Sequence, residues 1–180
     1  MKFNHSGENY ISIMNSLLLV STIAISYSYF QPAKPHQVQD EREQIVLFMT
    51  RMADAGMMSI LQGKLAADIA TTKEIRDYGA RIEQDHSKLL EALQKLADEK
   101  QVILPDHLSE ENKKELDRLT QKSGTAFNRA FLRKMRVNHN RDVRYLRKAA
   151  QLMNAEVKAF AIQYLGMERA HLLALRKMLQ

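Results

Sequence analysis

The sequence predicts an all-α fold, an antiparallel four-helix bundle, on three observations. The 180 residues include only six Gly and three Pro, against roughly 12% of these breakers in an average chain. Long segments carry apolar residues at alternating three- and four-residue steps, the period of a half-buried helix. Polar residues suited to capping stand where those segments begin. With 45% hydrophobic and 27% charged residues, the composition is that of an ordinary globular domain rather than a disordered chain. The absence of Cys excludes disulfides, thiolate nucleophiles, zinc ribbons and an acylated lipoprotein cysteine.

An N-terminal apolar leader, residues 1–30, precedes the bundle. From Asn9 to Ala33 there is no charged residue, and Ile11 to Phe30 holds 13 apolar residues in 20. A signal peptide needs an apolar stretch of about 7–15 residues and then small residues, and Ser26 and Ser28 suit positions −3 and −1 of a cleavage site. A spanning helix needs about 20 residues. Residues 10–30 just reach that length, although Asn15 and five serines dilute them. Cleaved signal peptide, retained membrane anchor and buried first helix are thus the three readings. The first two export the remainder, making it periplasmic or envelope-associated. Residues 31–39, with Pro32 and Pro35, read as a linker, because proline disfavours helix at and before itself. The bundle domain is then 40–180.

The first helical pattern starts near Asp40 and keeps Ile45, Phe48, Met52, Ala55, Ser59, Gly63 and Ala66 in one stripe. Thr71 with Glu74 forms a capping box that starts the second pattern, Ile75, Tyr78, Ile82, His86, Leu89, Leu93 and Leu96. Pro105 breaks the chain. Ser109 caps a short acidic-start helix, Glu110 to Gln121, and Gly124 closes it. The third long pattern carries Phe131, Met135, His139, Val143, Leu146 and Ala150. Asn154 caps the fourth, with Val157, Ala161, Tyr164, Glu168, His171, Leu175 and Met178. Short turns make the first and last pairs antiparallel hairpins. A helix of roughly 28 residues is about 42 Å long, and the connection of residues 100–124 can span it. This is the ferritin-like arrangement, four helices with one long crossover that carries a short helix.

His86, His139 and His171 fall in phase with the buried stripes. A buried polar group without a partner costs several kcal/mol, so the three must bond one another, hold metal or face a wet cavity. Glu83 precedes His86 by three residues and Glu168 precedes His171 likewise, the Glu-x-x-His spacing of di-iron bundles. The other two helices offer no matching Glu: Ser59 sits mid-stripe in one, Asn138 and His139 in the other. A mononuclear site from the three histidines, with Glu168 or Asp85 as fourth ligand or supporting partner, suits Zn, Cu or Ni, and the Glu-x-x-His pairs suit Fe. The competing reading is a hydrogen-bonded cluster that fixes the register of the bundle. His5, His36 and His107 lie in the leader, linker and loop and read as solvated. Met49, Met52, Met57 and Met58 read as core filler.

Several stretches together resemble a known family. They are GKLAAD (Gly63–Asp68), QDH (Gln84–His86), LADEKQVILPDHLS (Leu96–Ser109), SGTAFNRAFLRKM (Ser123–Met135), Asn138-His139, VKAFA (Val157–Ala161) and HLLAL from His171. Their order and spacing, from about Gln44 to Leu179, are similar to the bacterial exported proteins of the domain of unknown function 4142, also labelled predicted outer membrane or putative membrane proteins. The resemblance implies a ferritin-like fold, export, and Asp85, His86, His139 and His171 as the recurring polar positions. It implies no established activity. Asn138 and Asn128 stand where the family usually carries Asp, and Ser59 and Leu61 replace a stretch that typically bears Glu.

Charge is concentrated on the third long helix. Residues 129–148 hold six Arg and two Lys against Asp142, a local net of +7 in a chain of +6. Arg129, Arg133, Arg136, Arg144 and Arg147 recur on one side. The readings are a solvated face, or a surface for an anionic membrane or an acidic envelope component. No nucleic-acid recognition motif is present. No phosphate loop, Ser/His/Asp arrangement or separated acid–base carboxylate pair stands out, which argues against an enzyme. The sequence therefore favours a structural or binding protein of the cell envelope, with a metal-binding protein of storage, sensing or oxidoreductase type as the alternative, and leaves a homo-oligomer open.

Overall fold

A computed structural model describes residues 35–180, and side chains from residue 39 onward. The leader and residues 31–34 of the predicted linker lie outside the described residues. Five helices follow in order: α1 (Pro35–Ile69), α2 (Lys73–Lys100), α3 (Glu110–Thr120), α4 (Gly124–Ala149) and α5 (Ala155–Met178). α1 begins five residues before the expected Asp40. Pro35 sits at its first position, where a missing N–H is harmless and the fixed φ is already helical. Among the described residues no helix is long and apolar enough to cross a membrane.

The stripes predict the buried faces well. Two apolar clusters form, one at each end of the bundle. The first joins Phe48 and Met52 of α1, Leu89 and Leu93 of α2, Leu146 of α4, and Val157 and Phe160 of α5. The second joins Ala66 of α1, Ile75 and Ile82 of α2, Phe127 and Phe131 of α4, and Leu175 of α5. The N-terminal halves of α1 and α5 therefore share an end with the C-terminal halves of α2 and α4. The order is up, down, down, up. A connection from α2 to α4 must then run the length of the bundle, and α3 lies along that path.

Local chemistry fixes the ends. Thr72, not Thr71, caps α2, its Oγ1 accepting from the Ile75 N–H at 3.4 Å. Thr71 is instead drawn to α4: its N–H donates to Asn128 Oδ1 at 3.2 Å, and Asn128 Nδ2 donates to its Oγ1 at 2.6 Å. A tertiary pair of bonds outcompetes the local box. α2 ends before Pro105, at a Schellman turn in which Gln101 takes a left-handed φ of 55° and the Val102 N–H reaches Ala97 O at 2.8 Å. Ser109 and Asn154 cap α3 and α5 as expected. Gly124, expected to close α3, opens α4 with a φ of +58°. Asp54 of α1 fastens the N-terminus of α3, accepting from the Ser109 N–H and from Asn112 Nδ2, both at 2.9 Å.

α1 and α2 cross with their backbones in contact. A Cβ on Gly63 would lie 2.7 Å from Gly79 O and 2.8 Å from Glu83 N. A Cβ on Gly79 would lie 2.6 Å from Gly63 O and 2.8 Å from Ala67 N. No rotamer relieves such a clash, so both positions require glycine.

Candidate metal centre

Between the two apolar clusters lies a layer of buried polar side chains. α1 contributes Ser59 and Gln62, α2 His86, α4 Asn138, His139 and Asp142, and α5 Glu168 and His171. Ser59, His86, His139, Glu168 and His171 occupy positions that stripe periodicity assigns to the interior. The helices cannot turn these groups to solvent without exposing their apolar neighbours.

Four of the layer converge. His86, His139, Glu168 and His171 are all buried, and one ligand atom from each lies within 4.8 Å of the others. His139 Nδ1 meets Glu168 Oε2 at 2.6 Å and its Nε2 meets the Tyr78 hydroxyl at 3.1 Å. His171 Nε2 meets Asp85 Oδ2 at 3.0 Å. His86 stacks on His139 with ring centroids 5.6 Å apart and planes 19° apart. Its Nε2 stands 3.6 Å from Glu168 Oε1.

The hydrogen bonds sort the members. Burial and the Glu168 charge raise the Tyr78 pKa, so its hydroxyl keeps the proton and donates to His139 Nε2. That leaves the proton of His139 on Nδ1, where it faces the Glu168 carboxylate. His139 thus has both ring nitrogens engaged. His171 gives Nε2 to Asp85, which leaves Nδ1 buried and unpartnered. Both nitrogens of His86 and Glu168 Oε1 are buried and unpartnered too. Open ligand atoms therefore come from α2 and from both α5 residues. Asp85 and His139 hold two of those ligands in orientation, as supporting partners of metal ligands commonly do.

Burial sets the electrostatics. Desolvation holds the His86 pKa well below the usual histidine value and lowers His139 to about 4. It lowers His171 as well, with the neighbouring His139 adding to the effect. Desolvation pushes Glu168 up to about 7 and Asp142 up to about 6. Neutral imidazoles are the form that binds metal. Three of them beside one carboxylate suit a borderline transition metal such as Zn, Cu or Ni, and Fe less well.

The sequence-derived residues divide clearly. His86, His139, His171 and Glu168 come together. Asp85, with its side chain 24% exposed, touches the group only through His171. Glu83 does not join: it is half-buried and borders a surface hollow with Asp77, Arg81 and Ser87 on α2. The stripe reaches His86 by a four-residue step from Ile82, so Ile82 takes the inward place. In α5 the step is three, and Glu168 points in with His171. Sequence reasoning did not single out Gln62, Tyr78 or Asp142 as polar members. The signal for Asp142 was its place one turn beyond Asn138 and His139. His107 lies exposed in its loop, as expected.

Fold and centre together define a ferritin-like helical bundle with a buried His/Glu cluster across its middle. The chain belongs to the domain of unknown function DUF4142, which its sequence matches over residues 31–178. It also resembles the crystal structure of a DUF305 fragment from Deinococcus radiodurans. The TM-score is 0.68 at 16% identity, covering 83% of this chain and 98% of that one. That likeness is one of fold. Among curated proteins none matches the chain.

Proposed function

We propose that the chain is a metal-binding protein that holds one transition-metal ion at His86, Glu168 and His171, with His139 as fourth ligand or as the partner that orients Glu168. One observation carries this reading: His86 is 1% exposed, yet neither ring nitrogen has a hydrogen-bond partner. A register-fixing polar cluster needs its members satisfied, and an unsatisfied buried group costs about 1–3 kcal/mol. A metal ligand needs a free lone pair. Bound metal would supply Lewis acidity or redox capacity there, while Asp85 holds the His171 ring, Tyr78 holds the His139 ring and His139 orients Glu168.

The test is a melting series with added Zn, Ni or Cu against chelator, run across pH. Metal that binds only the native state raises the melting temperature by mass action. The sign of the pH dependence follows from Glu168. Its folded pKa, about 7, is raised from 4.5, so below pH 7 an incoming ion must displace a proton. Affinity is therefore expected to fall about tenfold for each pH unit below 7 and to level off above it. In the apo protein the same shift makes the Glu168 contribution fall as pH rises from about 4.5 to about 7. His139, held neutral down to about 4, works oppositely and adds stability as pH rises towards 6.5. A melting temperature indifferent to all three metals would overturn the metal reading.

We also propose that α4 presents an anion-binding surface. Arg129, Arg133, Arg136, Arg144 and Arg147 are all exposed, and none has an ion pair among the described residues. This unneutralised ridge suits anionic lipid headgroups, whose attraction is about 1 kcal/mol per basic side chain. Salt-sensitive binding to phosphatidylglycerol vesicles is expected, weakened by reversing Arg133, Arg136 and Arg144 to Glu. Equal binding by parent and variant, or none at low salt, would mean that the ridge is merely solvated.

A further inference from the structure

We propose a second binding site, for a phosphate-type oxyanion, in the hollow where α3 crosses α4. The hollow has a volume of about 160 Å³ and is bordered by Arg118 and Lys122 from the α3 end and by Lys134 and Ala130 from α4. Glu115 also borders it, and its carboxylate is spent on an ion pair with Lys134. Arg118 and Lys122 are exposed and have no ion pair among the described residues. Three cations against one carboxylate leave the hollow net positive.

Charge alone would make only a solvated surface. The independent observation lies at the inner wall. Gln62 of α1 borders the hollow while being 0% exposed. Its Oε1 accepts from Asn138 Nδ2 at 3.1 Å, which leaves Nε2 as the end outside that contact. Nε2 has no partner. A buried amide donor left unmade is unfavourable unless a ligand acceptor meets it. A tetrahedral oxyanion supplies the complement, with one oxygen for the amide and the others for Arg118 and Lys122. Arg and Lys are the side chains best suited to such oxygens. The ligand could be a free inorganic oxyanion or the phosphate of a lipid headgroup. The site is separate from the His/Glu cluster and does not depend on metal.

The experiment uses the whole chain with inorganic phosphate, at constant ionic strength against chloride. Phosphate is expected to raise the melting temperature and to move the Gln62 side-chain amide resonance in a saturable way. Because Arg118 and Lys122 are exposed, the double variant R118A/K122A should fold as the parent does, and it is expected to bind phosphate at least about tenfold more weakly, since charge-assisted bonds are removed. Gln62→Met, which keeps the length and removes the donor, should weaken binding as well. A parallel arm with phosphatidic-acid vesicles separates the sources: a Gln62 response to vesicles but not to inorganic phosphate assigns the site to a headgroup. No movement of the Gln62 amide with either probe, or equal phosphate binding by the parent and R118A/K122A, overturns the proposal.

Discussion

Replacing Gly79 by alanine is expected to lower the unfolding free energy by about 3 kcal/mol, at the upper end of what overpacking a tight interior costs. The added methyl would sit 2.6 Å from Gly63 O and 2.9 Å from Ala66 Cβ. Neither neighbour can rotate away, so α1 and α2 must separate along the crossing. Gly63→Ala should behave alike, because its methyl meets Gly79 O and Glu83 N. The matched control is Gly166→Ala on the exposed side of α5, where a Cβ meets nothing within 4 Å. That change should stabilise by roughly 0.5–1 kcal/mol, since alanine restricts the unfolded chain and favours helix. Urea unfolding of the three variants at unchanged m-value reads all three effects. If Gly79→Ala is as well tolerated as Gly166→Ala, the close crossing is wrong. Ile82, whose Cβ would lie 3.3 Å from a Cβ on Gly63, is one helical turn before His86, so a forced separation should loosen the centre too.

His86→Leu is the other change with a large expected effect, and its two consequences have opposite directions. The metal-dependent rise in melting temperature should vanish, because an open ligand is gone. The apo protein, however, should be no less stable than the parent. Leucine is of similar size, sits between two apolar clusters, and replaces an imidazole whose nitrogens have no hydrogen bonds. Removing an unsatisfied buried polar group is neutral or stabilising by about 1–2 kcal/mol. The low-tilt stacking of the His86 ring on His139 goes with the imidazole, and the leucine methyls can cover the same ring face. If apo His86→Leu is less stable than the parent and metal has no effect on the parent, His86 is a packing residue.

Much of the fold is legible in the sequence, and residue by residue the reason is periodicity. Val157, Ala161, Tyr164, Glu168, His171 and Leu175 are all buried, because a helix that packs on one side must bury its stripe. The same logic places His86 and His139 inside. It also contains the answer on Glu83: a stripe running through Ile82 cannot turn Glu83 inward, whatever the Glu-x-x-His spacing suggests. Thr71 shows the opposite case. Its capping box is sound local chemistry, and only the arrival of Asn128 from another helix decides that Thr72 caps instead. The buried amide pair of Gln62 and Asn138, 76 residues apart, has no local signature at all.

The sequence by itself determined the helices, their buried faces, the up-down-down-up order imposed by short turns and one long crossover, and three interior histidines. These follow from spacing along one chain, where the physics is local. Tertiary structure alone decided which ring nitrogens are engaged, that Asp85 reaches the centre through His171, and that two glycines meet back to back. Those outcomes depend on rotation and approach between helices, where a shift of a few tenths of an ångström decides whether atoms fit. Burial shared by several elements, rather than any one segment, sets the protonation of Glu168 and His139 and leaves one ring-nitrogen lone pair of His86 free.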